Sequence, residues 1–196
     1  MHKLKLFLQG LSPVNDEAWA DVENLFAKRI LKKGEYFCDE GKVAREFAFL
    51  ELGIVRGFYR SRQGGEYNKH FFMESSIIGG YTSLITGRPN MVIQEALTNC
   101  EIWVANYGDF VKLYNKHPDL ERVGRLFAEH YFVEKETKEF EIVLYDAEIR
   151  YDIFKRKYPG LEQLVPQYHI ASYLGISPTQ LSRIRKKQVG VVSLHM

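Results

Sequence analysis

Cysteine and histidine are scarce in this sequence and poorly placed for metal binding. It has only two cysteines, Cys38 and Cys100, in 196 residues. They lie far apart and form no C-x-x-C pair, which excludes a disulfide framework and a four-cysteine zinc or iron–sulfur site. The six histidines are scattered without metal-ligand spacing. We therefore expect no bound metal.

Long apolar stretches and catalytic motifs are also missing. No run of about 18 apolar residues occurs, so the sequence predicts no transmembrane helix. The first residues, MHKLKLFLQGLSP, are too short and too interrupted for a signal peptide. No nucleophile–base pair and no phosphate-binding loop stands out. The sequence thus predicts a cytoplasmic protein that is not an enzyme and does not bind membranes.

The net charge of +2 is small, but its distribution is uneven. From Ala147 to Met196 there are eight Lys or Arg and three Asp or Glu, a local charge of +5, while the preceding part carries −3. A basic end on a slightly acidic body is typical of a DNA-binding segment attached to a regulatory domain.

The most specific motif is QYHIASYLGISPTQLSRIRKK, Gln167–Lys187. Ala171 and Gly175 lie one helical turn apart, and such small residues let two helices cross closely at a tight turn. Ser177 fits an N-cap, the following proline fits the first helical position, and Gln180 completes a capping box. This pattern predicts a helix-turn-helix whose second helix begins after Ser177.

The second helix leaves a polar and basic surface when its leucine and isoleucine turn inward. The candidate DNA-binding residues are Ser177, Thr179, Gln180, Ser182, Arg183, Arg185, Lys186 and Lys187. Arg183 is expected to contact guanine, because a guanidinium matches its O6 and N7 acceptors. The three following basic residues are expected to hold phosphates. The alternative is a solvated basic helix end that complements the helix dipole.

Upstream, the sequence predicts one helix and then a β-domain. Residues 13–29 have helical spacing of apolar residues. From Ile30 to Phe110, short apolar and aromatic runs are separated by glycines. This texture predicts an antiparallel barrel or sandwich of about eight strands.

A long helix is predicted from Pro118 to near Tyr145, where Asp146 fits the N-cap of the next helix. Its apolar positions follow a 3-4 spacing typical of a coiled-coil seam. The seam residues are Val123, Leu126, His130, Val133, Thr137, Phe140 and Leu144. A second stripe, through Leu120, Phe127 and Tyr131, could pack on the barrel and leave the seam for dimerisation. The alternative is that the seam itself packs on its own chain.

This order of elements resembles the Crp-Fnr superfamily of bacterial transcription regulators. The resemblance rests on LKKGEYFCDEGK, LELGIVRGFY, FFMESSIIGGYTSL, NCEIW and LGISPTQLSRIRKK, and it covers essentially the whole chain. It implies an α+β fold with a cyclic-nucleotide-binding-like jelly-roll sensor at 1–118, a dimerisation helix at 119–145 and a winged-helix-like DNA-binding domain at 146–196.

The resemblance also implies how such a protein acts. Ligand binding would reposition two DNA-binding domains in a homodimer that reads a pseudo-palindromic site in double-stranded DNA, with activation through contacts with RNA polymerase. The alternative is a ligand-sensing or protein-interaction module with weak or lost DNA binding, which the altered pocket and short tail suggest.

The implied effector pocket departs from the cyclic AMP pattern. Where cyclic AMP-binding members have Gly-Glu this sequence has Gly79-Gly80, and where they have Arg-Ser/Thr-Ala it has Asn90-Met91-Val92. The pocket candidates are Gly79, Gly80, Tyr81, Arg88, Asn90 and Met91. Burying a phosphate without a cation is costly, so we do not expect tight cyclic AMP binding. The effector is unknown, and a haem on a single histidine stays open.

The segment after the recognition helix is short for a wing. Only QVGVVSLHM follows Lys187, which is enough for one strand but hardly for a hairpin. We expect either a reduced wing or a truncated one.

Overall fold

The computed structural model describes the backbone of residues 2–193 and the side chains of residues 2–188. Two helices come first, α1 (His2–Leu11) and α2 (Asp16–Leu25). Eight strands follow: β1 (Ala27–Leu31), β2 (Tyr36–Cys38), β3 (Glu46–Leu52), β4 (Val55–Arg60), β5 (Glu66–Phe72), β6 (Ser76–Ile78), β7 (Ile93–Ala96) and β8 (Cys100–Asn106). A short helix, α3 (Tyr81–Thr86), lies between β6 and β7.

The rest of the described chain is helical. Its helices are α4 (Tyr107–Lys112), α5 (Pro118–Leu144), α6 (Ala147–Lys157), α7 (Leu161–Leu164), α8 (Gln167–Leu174) and α9 (Pro178–Ser193), with a 3-10 turn at Leu113–Asn115. The chain divides into two compact units. The first is formed by the residues up to Tyr59 and His70–Val133, and the second by Arg60–Lys69 and the residues from Glu134 onward. No helix among residues 2–193 is long and apolar enough to cross a bilayer.

The eight strands form two four-stranded sheets, in the orders β1-β8-β3-β6 and β2-β7-β4-β5. Neighbouring strands run antiparallel. For example, Phe49 on β3 lies opposite Trp103 on β8 on one side and opposite Ile77 on β6 on the other. Phe49, Phe58 and Ile102 are fully buried in the first unit. The predicted antiparallel sandwich of about eight strands is therefore confirmed.

The N-terminal prediction needs two corrections. The helix expected at 13–29 is shorter, because α2 ends at Leu25 and residues from Ala27 onward pair with β8. The backbone N–H and C=O groups of β1 are bonded across to β8 instead of within a helix. In addition, α1 forms within the N-terminal stretch and buries Leu4 and Leu8. The amphipathic spacing of these leucines could have indicated this helix.

Helix α5 has the predicted bounds within one residue and carries both predicted stripes. Leu120 is fully buried, and Phe127 packs against the ring of Phe7, so the second stripe contacts its own chain as expected. Val123, the first seam residue, is not left free for a partner helix as predicted, because it lies in the same apolar core as Leu120. Val133, further along the seam, is exposed.

The C-terminal end of α9 replaces the strand expected there. The helix continues through residues 188–193, where the sequence had predicted one strand of a reduced wing. Residues 194–196 lie outside the described part of the chain. Residues at the end of a helix gain a backbone hydrogen bond each, whereas a lone strand without a partner gains none, which favours the helix.

Candidate DNA-binding surface and effector pocket

The predicted turn of the helix-turn-helix is confirmed between α8 and α9. Gly175 has φ of 68° and ends α8 in the left-handed conformation. Its N–H bonds to the carbonyl oxygens of Ala171 and Ser172, and the N–H of Ile176 also bonds to Ala171. These bonds satisfy carbonyl groups that the end of a helix leaves free.

Ser177 directly precedes α9 and caps it, as the sequence predicted. Its Oγ accepts a hydrogen bond of 3.1 Å from the N–H of Gln180, and Pro178 occupies the first helical position. Leu181 and Ile184 are buried against the second unit's core. The orientation of α9 is therefore fixed by its cap and by two apolar side chains.

Most of the predicted DNA-binding residues lie on the opposite, exposed surface of α9. Exposed side chains are those of Ser177, Thr179, Gln180, Ser182, Arg183, Lys186 and Lys187. We call this set the α9 outer face. Arg183 and Lys186 make no ion pair among the described residues, so both guanidinium and ammonium groups are available to an external anion.

Arg185 and Lys187 are held by carboxylates of the same unit. Arg185 lies 3.4 Å from Glu162, and Lys187 Nζ donates to both carboxylate oxygens of Glu148 at 2.8 and 2.9 Å. The hydrogen bond to Glu148 also raises the pKa of Lys187. Sequence alone gave no sign of these pairs, because α6 and α7 bring the glutamates to α9 only in the folded unit.

Aromatic residues of α6, of the turn after it and of α8 form a buried cluster in the unit that carries the helix-turn-helix. Phe154 on α6 is fully buried, with its ring centroid 5.4 Å from Tyr158 and 5.5 Å from Tyr173. Lys138 lies 3.7 Å from the Tyr173 ring centroid, and burial lowers the pKa of this lysine to about 8. The predicted N-cap of α6 is also present, since Asp146 accepts from the N–H of Ile149.

The segment Arg60–Lys69 is bound to α8 within the second unit. The amide of Asn68 donates to the carbonyl oxygen of His169 at 3.0 Å. The Ser172 hydroxyl donates to the carbonyl of Glu66 at 2.7 Å and accepts from the N–H of Asn68 at 3.0 Å. Sequence reasoning missed this contact, because its partners are about 100 residues apart and no local pattern links them.

In the predicted effector pocket, the Asn90 side chain is held by backbone groups of its own chain. This side chain is buried and donates to the carbonyl oxygens of Asp39 and Val92 at 3.2 and 2.6 Å. A Cβ atom added at Gly80 would lie 2.7 Å from Asn90 Oδ1. Gly80 and Asn90 therefore fit each other, and a larger residue at position 80 would clash with the asparagine.

Other predicted pocket residues have different environments. The carbonyl of Gly79 accepts from the Gln94 amide at 3.0 Å. Arg88 is bound through its backbone, whose carbonyl accepts from the Ser83 hydroxyl, while its side chain is exposed. Met91 is 71% exposed, so its side chain does not line an enclosed pocket.

Metal and thiol chemistry have no support in the described residues. No cluster of three or more His, Cys, Asp or Glu side chains that could hold a metal occurs between residues 2 and 188. Cys38 and Cys100 are buried free thiols. Burial raises the pKa of Cys38 to about 11, which keeps it protonated and poorly nucleophilic at neutral pH.

The comparisons with known proteins fit this architecture. Residues 28–117 match the cyclic nucleotide-binding domain family. No curated protein matches the chain by sequence.

Three solved structures illustrate the similarity in fold. FixK2 from Bradyrhizobium japonicum has a TM-score of 0.71 and 16% identity, and the match covers 83% of each chain. The c-di-GMP-responsive global regulator CLP of Xanthomonas campestris has a TM-score of 0.70 and 16% identity, with 90% of this chain and 92% of that chain covered.

A putative transcriptional regulator of the Crp/Fnr family from Eubacterium rectale has a TM-score of 0.70 and 16% identity, covering 90% of this chain and 85% of that one. At these identities the matches establish the fold over most of the chain. Residues 28–117 are therefore similar to the cyclic nucleotide-binding domain family, and most of the chain has the same fold as these three solved structures.

Proposed function

We propose that this protein is a DNA-binding transcriptional regulator that acts as a homodimer and does not respond to cyclic AMP. The observation that carries the proposal is the α9 outer face. It presents exposed polar and cationic side chains on a helix that is fixed by a capped turn. A helix of this kind fits the major groove, with its first residues near the base edges.

The basic residues of α9 have separate roles in this proposal. Arg183 lies in the second turn of α9 and makes no ion pair among the described residues, so its guanidinium is available to pair with the O6 and N7 acceptors of a guanine. Lys186 contacts phosphate and contributes affinity without sequence preference. Arg185 and Lys187 would have to exchange Glu162 and Glu148 for a phosphate, so the net gain from each is smaller.

The dimer proposal rests on the seam of α5. Val133, Phe140 and Leu144 are 60%, 62% and 68% exposed, and they are seven and four residues apart. Large apolar side chains at this spacing suit the seam of a coiled coil with a second copy of the helix. Two copies would present two α9 helices to half-sites about one turn of DNA apart.

We expect Arg183→Ala and Lys186→Ala to weaken DNA binding in different ways. Loss of a bidentate guanine contact costs about 1–3 kcal/mol and relaxes the base preference at one position of each half-site. Loss of a phosphate contact weakens all sequences alike and lowers the salt dependence by about one phosphate per protomer. The site is first obtained by genome-wide DNA capture and then measured by mobility shift against salt and against single-base variants.

Arg122→Ala is the matched control, because this arginine is exposed on α5 in the first unit. It removes the same charge and should leave binding unchanged. Equal and uniform losses from the two α9 variants would remove the assigned roles. Absence of any sequence-specific enrichment at low salt would instead favour a ligand-sensing or protein-interaction module.

Cyclic AMP is expected not to bind. The pocket lacks both the carboxylate and the arginine that the nucleotide requires, and Asn90 donates its amide to two backbone carbonyls. The motif positions Gly79-Gly80 and Asn90-Met91-Val92 therefore supply no cation to a cyclic phosphate, whose burial without one is costly. Isothermal titration with cyclic AMP should give no saturable heat, and micromolar affinity would contradict the proposal. Effectors differ among proteins of this fold, since CLP is described as responsive to c-di-GMP.

A further inference from the structure

Carboxylates and basic side chains line one open groove of the second unit, between the start of α6 and α9. Its lining includes Glu148 and, on α9, Arg183 and Lys187. Asp146, the N-cap of α6, belongs to the same lining. Negative groups of α6 therefore lie beside the cations that the proposed function assigns to DNA.

The contact between Glu148 and Lys187 is a two-pronged ion pair. Lys187 Nζ donates to both carboxylate oxygens of Glu148, at 2.8 and 2.9 Å. This hydrogen bonding raises the pKa of Lys187, and the charge of Asp146 adds to the effect. Both partners face solvent, with side chains 45% and 65% exposed. A phosphate can therefore reach the ammonium group and compete with the carboxylate for it.

The cations of α9 differ in whether they have such a partner. Arg183 and Lys186 make no ion pair among the described residues, whereas Arg185 lies 3.4 Å from Glu162. Glu162 is bound further into the unit, because it also accepts from the Tyr151 hydroxyl at 3.1 Å, and its side chain is only 22% exposed. Glu148 is the carboxylate whose charge can be removed with less disturbance of the fold.

A paired lysine contributes less to DNA binding than a free one. Contacts of lysine and arginine with phosphates supply most of the sequence-independent affinity and its salt dependence. For Lys187 to contact a phosphate, it has to release Glu148, which leaves a carboxylate next to the negatively charged DNA backbone. Part of the gain from the new contact is thereby cancelled.

We propose that Glu148 is an intramolecular competitor for the DNA phosphate at Lys187 and limits the affinity of the protein for DNA of any sequence. This role rests on the proposed function, since it operates only where α9 contacts DNA. Phosphates carry no sequence information, so the competitor lowers the affinity for operator and for random DNA by the same factor. Base preference is left to residues such as Arg183.

The test is the binding of wild type and Glu148→Gln to a random-sequence duplex, followed by fluorescence anisotropy over a series of salt concentrations. Glutamine keeps the size of the side chain and removes its charge. The variant should bind up to about fivefold more tightly per protomer at low salt, the range of an exposed ion pair. The slope of log K against log salt should steepen by up to about 0.9 per protomer.

A double-mutant cycle shows whether the effect passes through the ion pair. Lys187→Ala should weaken binding of random DNA more in the Glu148→Gln protein than in the wild type, because only there is the lysine fully available. Lys186→Ala should cost the same in both backgrounds. On an operator obtained by DNA capture, Glu148→Gln should give the same gain as on random DNA and an unchanged base preference.

Glu136→Gln is the matched control, because this glutamate is exposed on α5 in the same unit and makes no ion pair among the described residues. Circular dichroism checks that each variant is folded. A gain from Glu148→Gln no larger than that from Glu136→Gln, a gain that persists without Lys187, or an altered base preference would overturn the competitor role alone. If neither wild type nor Glu148→Gln bound any duplex at low salt, the proposed function would fail with it.

Discussion

Phe154→Ala is expected to lower the unfolding free energy of the second unit by about 3–5 kcal/mol, the usual effect of truncating a fully buried phenylalanine. Phe154 is 1% exposed and lies among Tyr151, Tyr158 and Tyr173, with ring centroids 6.4, 5.4 and 5.5 Å away. Three rigid rings around one site cannot collapse into the space that the missing ring leaves. The full cavity penalty should therefore appear in the unfolding free energy.

The distribution of tryptophan makes this effect measurable for one unit at a time. Both tryptophans of the chain, Trp19 and Trp103, lie in the first unit, whereas the second is mainly helical. In urea, Phe154→Ala should move the helical circular dichroism transition to lower concentration, while the fluorescence transition stays near its wild-type midpoint. Tyr168→Ala, at a 57% exposed aromatic of the same unit, is the control. Equal small shifts for both variants would contradict the role given to Phe154.

Gly53→Ala is expected to destabilise the first unit nearly as strongly. Gly53 joins β3 to β4 with φ of 110°, a conformation that L side chains rarely adopt. An added Cβ would lie 2.5 Å from Cys100 Sγ and 2.9 Å from both the Asn99 carbonyl oxygen and Cys100 Cα. Backbone strain costs about 1–2 kcal/mol, and displacing a neighbouring backbone adds about 1–3 kcal/mol.

Gly34→Ala separates these two contributions. Gly34 also has a positive φ, 86°, but no atom would lie within 4 Å of an added Cβ. This variant should show only the backbone strain of about 1–2 kcal/mol. Tryptophan fluorescence in urea measures both variants directly. If Gly53→Ala cost no more than Gly34→Ala, the close approach of β3–β4 to Cys100 would not matter for stability.

Gly80 and Asn90 are coupled by their packing. Asn90 occupies the space beside Gly80 and satisfies the carbonyls of Asp39 and Val92. A glutamate placed at position 80 alone would force its Cβ against Asn90, so the two positions would have to change together.

Local features of the helix-turn-helix could be predicted from the sequence because each depends on residues a few positions apart. The left-handed Gly175, the cap at Ser177 and the buried Leu181 all follow from short-range sterics and hydrogen bonds. The glycine-separated strands were predicted for the same reason. Predictions failed where two local structures competed, at residues 27–29 and 188–193.

Long-range pairing could not be predicted in this way. Nothing near Asn68 indicates that it bonds to His169, and nothing near Val123 shows that it faces the core rather than the exposed seam. An apolar cavity in the first unit likewise depends on α1, α3 and α5 meeting around one space.

The sequence by itself determined most of the succession of elements, the capped turn before α9 and its basic outer face, because propensity, capping and charge are properties of neighbouring residues. Only the tertiary structure decided which basic side chains remain available, since Glu148 and Glu162 reach Lys187 and Arg185 through the packing of α6 and α7. It also decided that the Asn90 side chain lies beside Gly80 and that an apolar cavity forms near Tyr114 in the first unit. Such contacts depend on how elements distant in sequence pack, which no local pattern encodes.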